Sequence, residues 1–161
     1  MNEITAGHAW SEGVWRSQAT VAIGASGRIA ADLADGPAHS TSQQAPRILL
    51  PGMHNLHSHA FQRAMAGRAE RRSAQGGNDS FWTWREQMYA VAGRMDPDAL
   101  RVVATQLYAE MLEAGYTSVC EFHYLHHDRD GRPYADPAAM SRAIIDAARE
   151  TGIGLLLLPV L

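Results

Sequence analysis

His57 and His59 stand two residues apart at the end of the run Ile48-Leu49-Leu50-Pro51-Gly52-Met53-His54-Asn55-Leu56-His57-Ser58-His59-Ala60. In an extended strand, side chains at i and i+2 leave the same face. Two imidazoles spaced this way project side by side and can hold one divalent metal. Neutral imidazole suits Zn²⁺ first and Fe²⁺ as an alternative, at about 2.1 Å from the nitrogen. The bland reading is a pair of hydrogen-bonding histidines at a sheet rim. Pro51-Gly52 before the pair and Ala60-Phe61-Gln62-Arg63 after it favour ligation.

A catalytic metal centre takes three or more protein ligands plus water, and this pair supplies two. The other local histidines lie in Glu121-Phe122-His123-Tyr124-Leu125-His126-His127-Asp128. His126 and His127 fall in a polar loop and read as surface residues. His123, at a strand end, reads as lining the site without ligating. Strand alternation groups Glu121 with Val119 and His123, and Tyr124 with Cys120 and Phe122. Tyr124 then sits at a strand's C-terminal end, where substrate-binding groups gather.

Phe81-Trp82-Thr83-Trp84-Arg85 is dense in aromatics, and helix packing accounts for Trp82 and Trp84. Arg85 beside them is different, because a guanidinium held among rings near a metal cleft suits bidentate recognition of a carboxylate. Gln62, three residues past His59, can donate to the same ligand. No Ser-His-Asp pattern or nucleophile elbow is present, and Cys120 reads as a small core residue.

These residues need a scaffold, and punctuation in the sequence outlines one. Ala19 to Ile23 alternates, Ala25-Ser26-Gly27-Arg28 turns, and Ile29 to Ala31 resumes, which predicts a small hairpin. Asp35 to Pro46 reads as a loop. Ile48 to Leu50 reads as a short strand buried on both faces, with the histidines at its C-terminal end. Ala66 to Asn78, with Gly76-Gly77, reads as a loop over a site. Phe81 to Ala92 reads as a helix. Asp96-Pro97 starts another, with Leu100, Val103, Leu107, Met111 and Ala114 on its buried face and Gly115 as its stop. Thr117 to Phe122 is a strand. Asp136-Pro137 opens a helix with Met140, Ile144, Ala147 and Ala148 inside, and Gly152 ends it. Leu155 to Leu158 is a third strand. Strands alternating with helices imply parallel pairing, hence a TIM barrel or a doubly wound sheet. No Gly-x-Gly-x-x-Gly follows a strand, against a dinucleotide fold.

Composition narrows the function classes. At 161 residues, 46% hydrophobic and 19% charged, the chain reads as a soluble domain with a real core. A net charge of −3 gives no electrostatic case for nucleic acid, and the arginines of 68–72 are interrupted by Glu70 and read as a solvated loop. One cysteine, Cys120, fits a reducing cytoplasm. No signal peptide is visible. The longest apolar stretch, Ile153 to Leu161, falls short of the roughly 18 residues of a membrane helix. No internal repeat is present. The chain stops inside that strand-like run, and so reads as a piece of something longer.

Pro51-Gly52-x-x-Asn55-x-His57-Ser58-His59 resembles the first-strand metal motif of the amidohydrolase superfamily. Together with Ala60-Phe61-Gln62-Arg63-Ala64, Ser80 to Glu86, and Ala114 through His127, it is similar to the formimidoylglutamate deiminase family, from about Trp10 to the last residue. The resemblance implies an α/β chain: the N-terminal part of a metal-dependent (β/α)₈ TIM barrel, about strand-helix-strand-helix-strand. A short hairpin from a small β-sandwich would precede it. Residues 1–46 would belong to the sandwich and 47–161 to the barrel. It implies hydrolysis of N-formimidoyl-L-glutamate to N-formyl-L-glutamate and ammonia, with His57 and His59 as ligands and Gln62, Arg85 and Tyr124 on the substrate. It also implies a homodimeric full-length parent. His54 stands where relatives are expected to carry proline, and reads as benign. A barrel needs about 250 residues, so later ligands and catalytic groups lie outside this chain, which alone is expected to be inactive. The alternatives are another amidohydrolase, such as a guanine or cytosine deaminase-like enzyme, or a non-catalytic remnant acting as a binding module.

Overall fold

Two consecutive left-handed residues, Glu12 (φ 52°) and Gly13 (φ 80°), reverse the chain between β1 (Asn2–Ser11) and β2 (Val14–Ile23). A two-residue loop of this hand matches the twist of the strands it joins. Cross-strand pairs then hold the register. Trp10 lies opposite Trp15, their rings edge to face at 5.2 Å, and the Thr5 and Thr20 hydroxyls meet at 3.1 Å. The computed structural model describes residues 2–29, 34–35, 48–69 and 81–160. Within them β3 (Ala34–Asp35) pairs antiparallel with β2, and β4 (Ile48–Leu49) pairs parallel with β1, giving the order β3-β2-β1-β4.

The expected hairpin therefore shifts. Ala19 to Ile23 lies in β2, and its long partner is the preceding strand β1, whose Ala, Gly and His content hides the strand pattern. The Ala25–Arg28 turn does form, with the Gly24 N–H donating to the Arg28 carbonyl at 2.8 Å, and among the described residues one bridge, Ile23 to Ile29, follows it. Residues 30–31 lie outside the described residues, as does nearly all of the expected 35–46 loop and the expected 66–78 loop beyond residue 69. Ile48 to Leu50 is also corrected. It is not the histidine-bearing strand and is not buried on both faces, since Ile48 is 55% and Leu50 59% exposed. Pro51-Gly52 interrupts the run, and by backbone contacts the chain divides into two compact units, Met1–Gly52 and Met53–Leu161.

The second unit is α/β. Its sheet, in the order β5-β6-β7, is parallel throughout: β5 (Met53–Ser58), β6 (Tyr116–His123) and β7 (Gly154–Pro159). A 3₁₀ turn (Ala60–Met65), α1 (Phe81–Ala92) and α2 (Pro97–Glu113) lie between the first two strands, and α3 (Ala139–Thr151) lies between the last two. The core forms where these helices meet one face of the sheet, around Leu100, Tyr108, Val119, Met140 and Ile144. Along β6, burial alternates: Val119, Glu121 and His123 face the core, while Ser118, Cys120 and Phe122 are half-buried on the other side. Gly154 is required where β7 begins beside β6, because a Cβ there would sit 3.1 Å from Ser118 Cβ and 3.2 Å from the Thr117 carbonyl. Among the described residues no helix is long and apolar enough to cross a membrane.

α2 starts as its sequence directs. Pro97 occupies its first turn, and the Asp96 carboxylate accepts the Ala99 N–H at 2.8 Å. Arg129 pairs with the same carboxylate. Its buried line is Leu100, Ala104, Tyr108 and Met111, turned slightly from the expected one. Val103 and Leu107 only flank the core and Ala114 is exposed, because Tyr108 brings its whole ring inside. Arg63 grips Glu110 with two bonds of 2.7 Å, tying the 3₁₀ turn to α2. The bonds from Arg63, then Gln106, hold the Glu110 carboxyl down at about 2.

Two outcomes follow. Asp96→Ala should cost about 1 kcal/mol in denaturant unfolding through loss of the cap. Because Glu110 has a depressed folded-state pKa, its contribution is complete above its ordinary carboxylate range and fades as pH falls toward about 2. Wild-type stability should therefore drop more steeply than that of Glu110→Gln across this interval.

Candidate functional site

The histidine pair lies where β5 leaves its partner. Asn55 pairs with Val119 and Ser58 with Glu121, so three steps on β5 match two on β6. The extra residue makes a bulge, which re-aims side chains at a strand end. The Asn55 side-chain oxygen accepts the His57 N–H at 3.0 Å and stabilises the kink. His57 is still in the strand, while His59 lies just past it, at φ −132°, ψ 87°, as the residue that leads into the 3₁₀ turn. Simple alternation is thus broken, yet the two Nε2 atoms meet at 3.0 Å with their rings perpendicular.

The His59 tautomer can be deduced. Its Nδ1 lies 2.8 Å from the Phe122 carbonyl, which can only accept. Nδ1 therefore carries the proton and Nε2 presents a lone pair toward His57. A carbonyl partner on the far nitrogen is the usual support of a metal-ligating histidine. A nitrogen separation of 3.0 Å is short enough for both Nε2 atoms to reach one ion at ordinary bond lengths of about 2.1 Å. The donor set fits one divalent cation. Among the described residues no group of three His, Cys, Asp or Glu is placed to hold one.

Gln62 and Tyr124 join the pair. The 3₁₀ turn, held by the Gln62 N–H donating to the His59 carbonyl at 2.9 Å, carries Gln62 inward. Its Nε2 donates to Tyr124 Oη at 3.2 Å. The Tyr124 ring packs edge-on against His59 at 4.8 Å and against Phe61 at 5.4 Å. Burial pushes the Tyr124 hydroxyl pKa up, so it remains a proton donor. Arg85 approaches from α1, its guanidinium over the Trp82 and Tyr89 rings at 5.6 and 5.2 Å, and donates to Tyr89 Oη at 3.1 Å. The contact of α1 with Gln62 and Tyr124 is made by Met88, whose sulfur lies 3.7 Å from Gln62 Nε2 and 3.9 Å from Tyr124 Oη, and not by Arg85.

The remaining histidines are placed elsewhere. His54 bonds through Nδ1 to Ser118 Oγ at 2.6 Å. His123, expected to line the site, is instead on the buried, helix-facing side of β6, 3% exposed, with its ring against His126 at 5.1 Å. Burial, then the neighbouring His126, pushes His123 down to about 4. His126 is half-buried rather than a surface residue, its Nε2 2.8 Å from the Val160 carbonyl, while His127 is exposed. Glu121 was not foreseen as a site residue. Its Oε1 accepts the Ala60 N–H at 2.6 Å, immediately after His59. The signal was an acid inside the apolar run Val119-Cys120-Glu121-Phe122. A hollow of about 390 Å³ in the N-terminal unit, lined by Ile4, Trp10, Val21, Ile29 and Leu50 among others, has no titratable group among its described lining residues.

Comparison with known proteins identifies relatives. Residues 48–160 match the amidohydrolase family. Formimidoylglutamate deiminase of Pseudomonas aeruginosa is 55% identical over 147 residues, 91% of this chain and 32% of that protein. The crystal structure of an amidohydrolase from Brucella melitensis superposes with a TM-score of 0.89 at 45% identity, over 98% of this chain and 34% of that one. A zinc complex of atrazine chlorohydrolase from Arthrobacter aurescens gives 0.74 at 22% identity, over 99% and 35%, a likeness of fold. The chain thus spans about a third of the length of these relatives.

His123 offers a direct check on the burial of β6. Its depressed pKa means that the folded state holds the ring neutral, so stability is complete above the ordinary histidine range and is lost as pH falls toward about 4. The expected loss is about 3 kcal/mol at most. The His123 imidazole should titrate near 4 in an NMR titration of the folded chain.

Proposed function

The chain belongs to the amidohydrolase family, and on that footing we propose that it forms the first-strand side of a metal centre that hydrolyses N-formimidoyl-L-glutamate to N-formyl-L-glutamate and ammonia. The observation that carries this reading is the meeting of the His57 and His59 Nε2 atoms at 3.0 Å, with Gln62 and Tyr124 bonded to each other beside them. The 55% identity to a formimidoylglutamate deiminase supports the substrate. The zinc complex of a relative of the same fold supports Zn²⁺ as the ion, with Fe²⁺ as the alternative.

On this reading His57 and His59 hold the ion, and ligands from a complete (β/α)₈ barrel finish its shell. A divalent ion so held lowers the pKa of bound water toward ~7 and makes hydroxide available at neutral pH. This chain's own part is to bind and orient. Arg85 offers a fork of donors to a substrate carboxylate, pre-set by its stacking on Trp82 and Tyr89. Gln62 and the protonated Tyr124 hydroxyl offer hydrogen bonds beside His59. Residues 1–52 form part of the small β domain. We further propose that the parent enzyme is a cytoplasmic homodimer and that the 161 residues alone are inactive.

The test is a chimera in which this chain replaces the matching third of the Pseudomonas aeruginosa relative. It should release ammonia from N-formimidoyl-L-glutamate and not from guanine or cytosine, while the 161-residue chain alone should release none. Turnover of a nucleobase instead would overturn the assignment. In the chimera, His59→Ala should abolish activity together with bound metal. Arg85→Met should raise KM by about 10- to 100-fold, the worth of a charged hydrogen-bonded contact.

A further inference from the structure

Glu121 lies in β6 and is 1% exposed, on the strand face that meets the helices. A carboxylate in such a place is costly, and a well-packed apolar residue of similar volume would serve the core at least as well. Its Oε2 has no partner within hydrogen-bond distance, although the Tyr108 and Ser58 hydroxyls lie near enough to interact with the carboxyl group. Packing alone therefore does not account for the acid. The bond that does is the one from Oε1 to the Ala60 N–H, at 2.6 Å. Ala60 is fully buried and opens the 3₁₀ turn, so its N–H has no carbonyl of the turn to reach and no water.

The next residue of β6, Phe122, offers its carbonyl to His59 Nδ1 at 2.8 Å. Two consecutive residues of one strand thus hold one histidine from two sides. Phe122 holds the ring, and Glu121 holds the peptide on which the ring is mounted. We infer that Glu121 is a positioning residue for His59: its carboxylate pins the Ala60 peptide, and so keeps His59 Nε2 aimed at His57 Nε2. The inference rests on the metal-centre reading only for its functional consequence. The geometric claim can be read without metal.

The test uses the 161-residue chain as wild type, Glu121→Gln and Glu121→Met. NMR reads the His59 tautomer and the exchange rate of the Ala60 amide, and a Zn²⁺ titration is then followed on the His57 and His59 resonances. Gln keeps an oxygen acceptor and should preserve the tautomer, the slow amide and, within about threefold, the Zn²⁺ affinity. Met fills the space without an acceptor. It should speed Ala60 exchange at least about tenfold, mix the tautomers, and weaken Zn²⁺ about 10- to 100-fold. A Glu121→Met protein indistinguishable from wild type in tautomer and amide exchange overturns the inference. If that variant does not fold, the wild-type amide decides: exchange at the rate of an unprotected peptide overturns the inference, and strong protection retained in Glu121→Gln supports it. If the two-ligand chain takes up no Zn²⁺, the tautomer and amide measurements still decide the role of Glu121, and a chimera that takes up no Zn²⁺ overturns the metal-centre reading.

Discussion

The parallel pairing of β5 with β6 is the constraint from which the rest of this structure follows. A parallel neighbour cannot be reached by a tight turn, so the 3₁₀ turn, α1 and α2 all lie between the two strands, and α2 packs back on the sheet. That packing buries Tyr108 against one face of β6. It also leaves the C-terminal end of β5 beside residues 121–123, where a bulge can form. The histidine pair, Gln62 on the turn and Tyr124 just beyond β6 are all placed by this one junction.

Much of the second unit could be read ahead of the coordinates because its signals are local. Asp96-Pro97 specifies a helix start by capping chemistry, Gly152 at φ 81° specifies a stop, and the apolar spacing of α3 specifies its inner face. The N-terminal unit was harder. In β1 the pattern is diluted by Ala6, Gly7 and His8, and the turn at Glu12-Gly13 places a non-glycine residue at positive φ, which no pattern of hydrophobicity announces. Ile48 to Leu50 was assigned to the wrong sheet for a related reason. An apolar triplet has a strand's chemistry but does not name its partner, and Pro51-Gly52 is the physical break.

At the site, residue types were more readable than directions. The pairing of His57 with His59 follows from spacing, yet its geometry comes from a bulge that depends on the neighbouring strand. Gln62 and Tyr124 come from segments far apart in sequence and meet only because the turn and β6 end at the same level. His123 shows the opposite case: alternation along β6 already grouped it with Val119 and Glu121, and burial gives that face to the helices. A polar residue at a strand end need not face the same space as its neighbours.

The bulge has one more consequence, for the order of events. The His59 ring is held from behind, its Nδ1 on the Phe122 carbonyl, whereas the His57 ring is open to solvent and meets only the Phe122 ring, at 4.4 Å, and His59 itself. The two rings are therefore unequally held: one has already given up its rotational freedom during folding, and the other keeps more of it. An arriving cation would find a fixed seat at His59 and a swinging latch at His57.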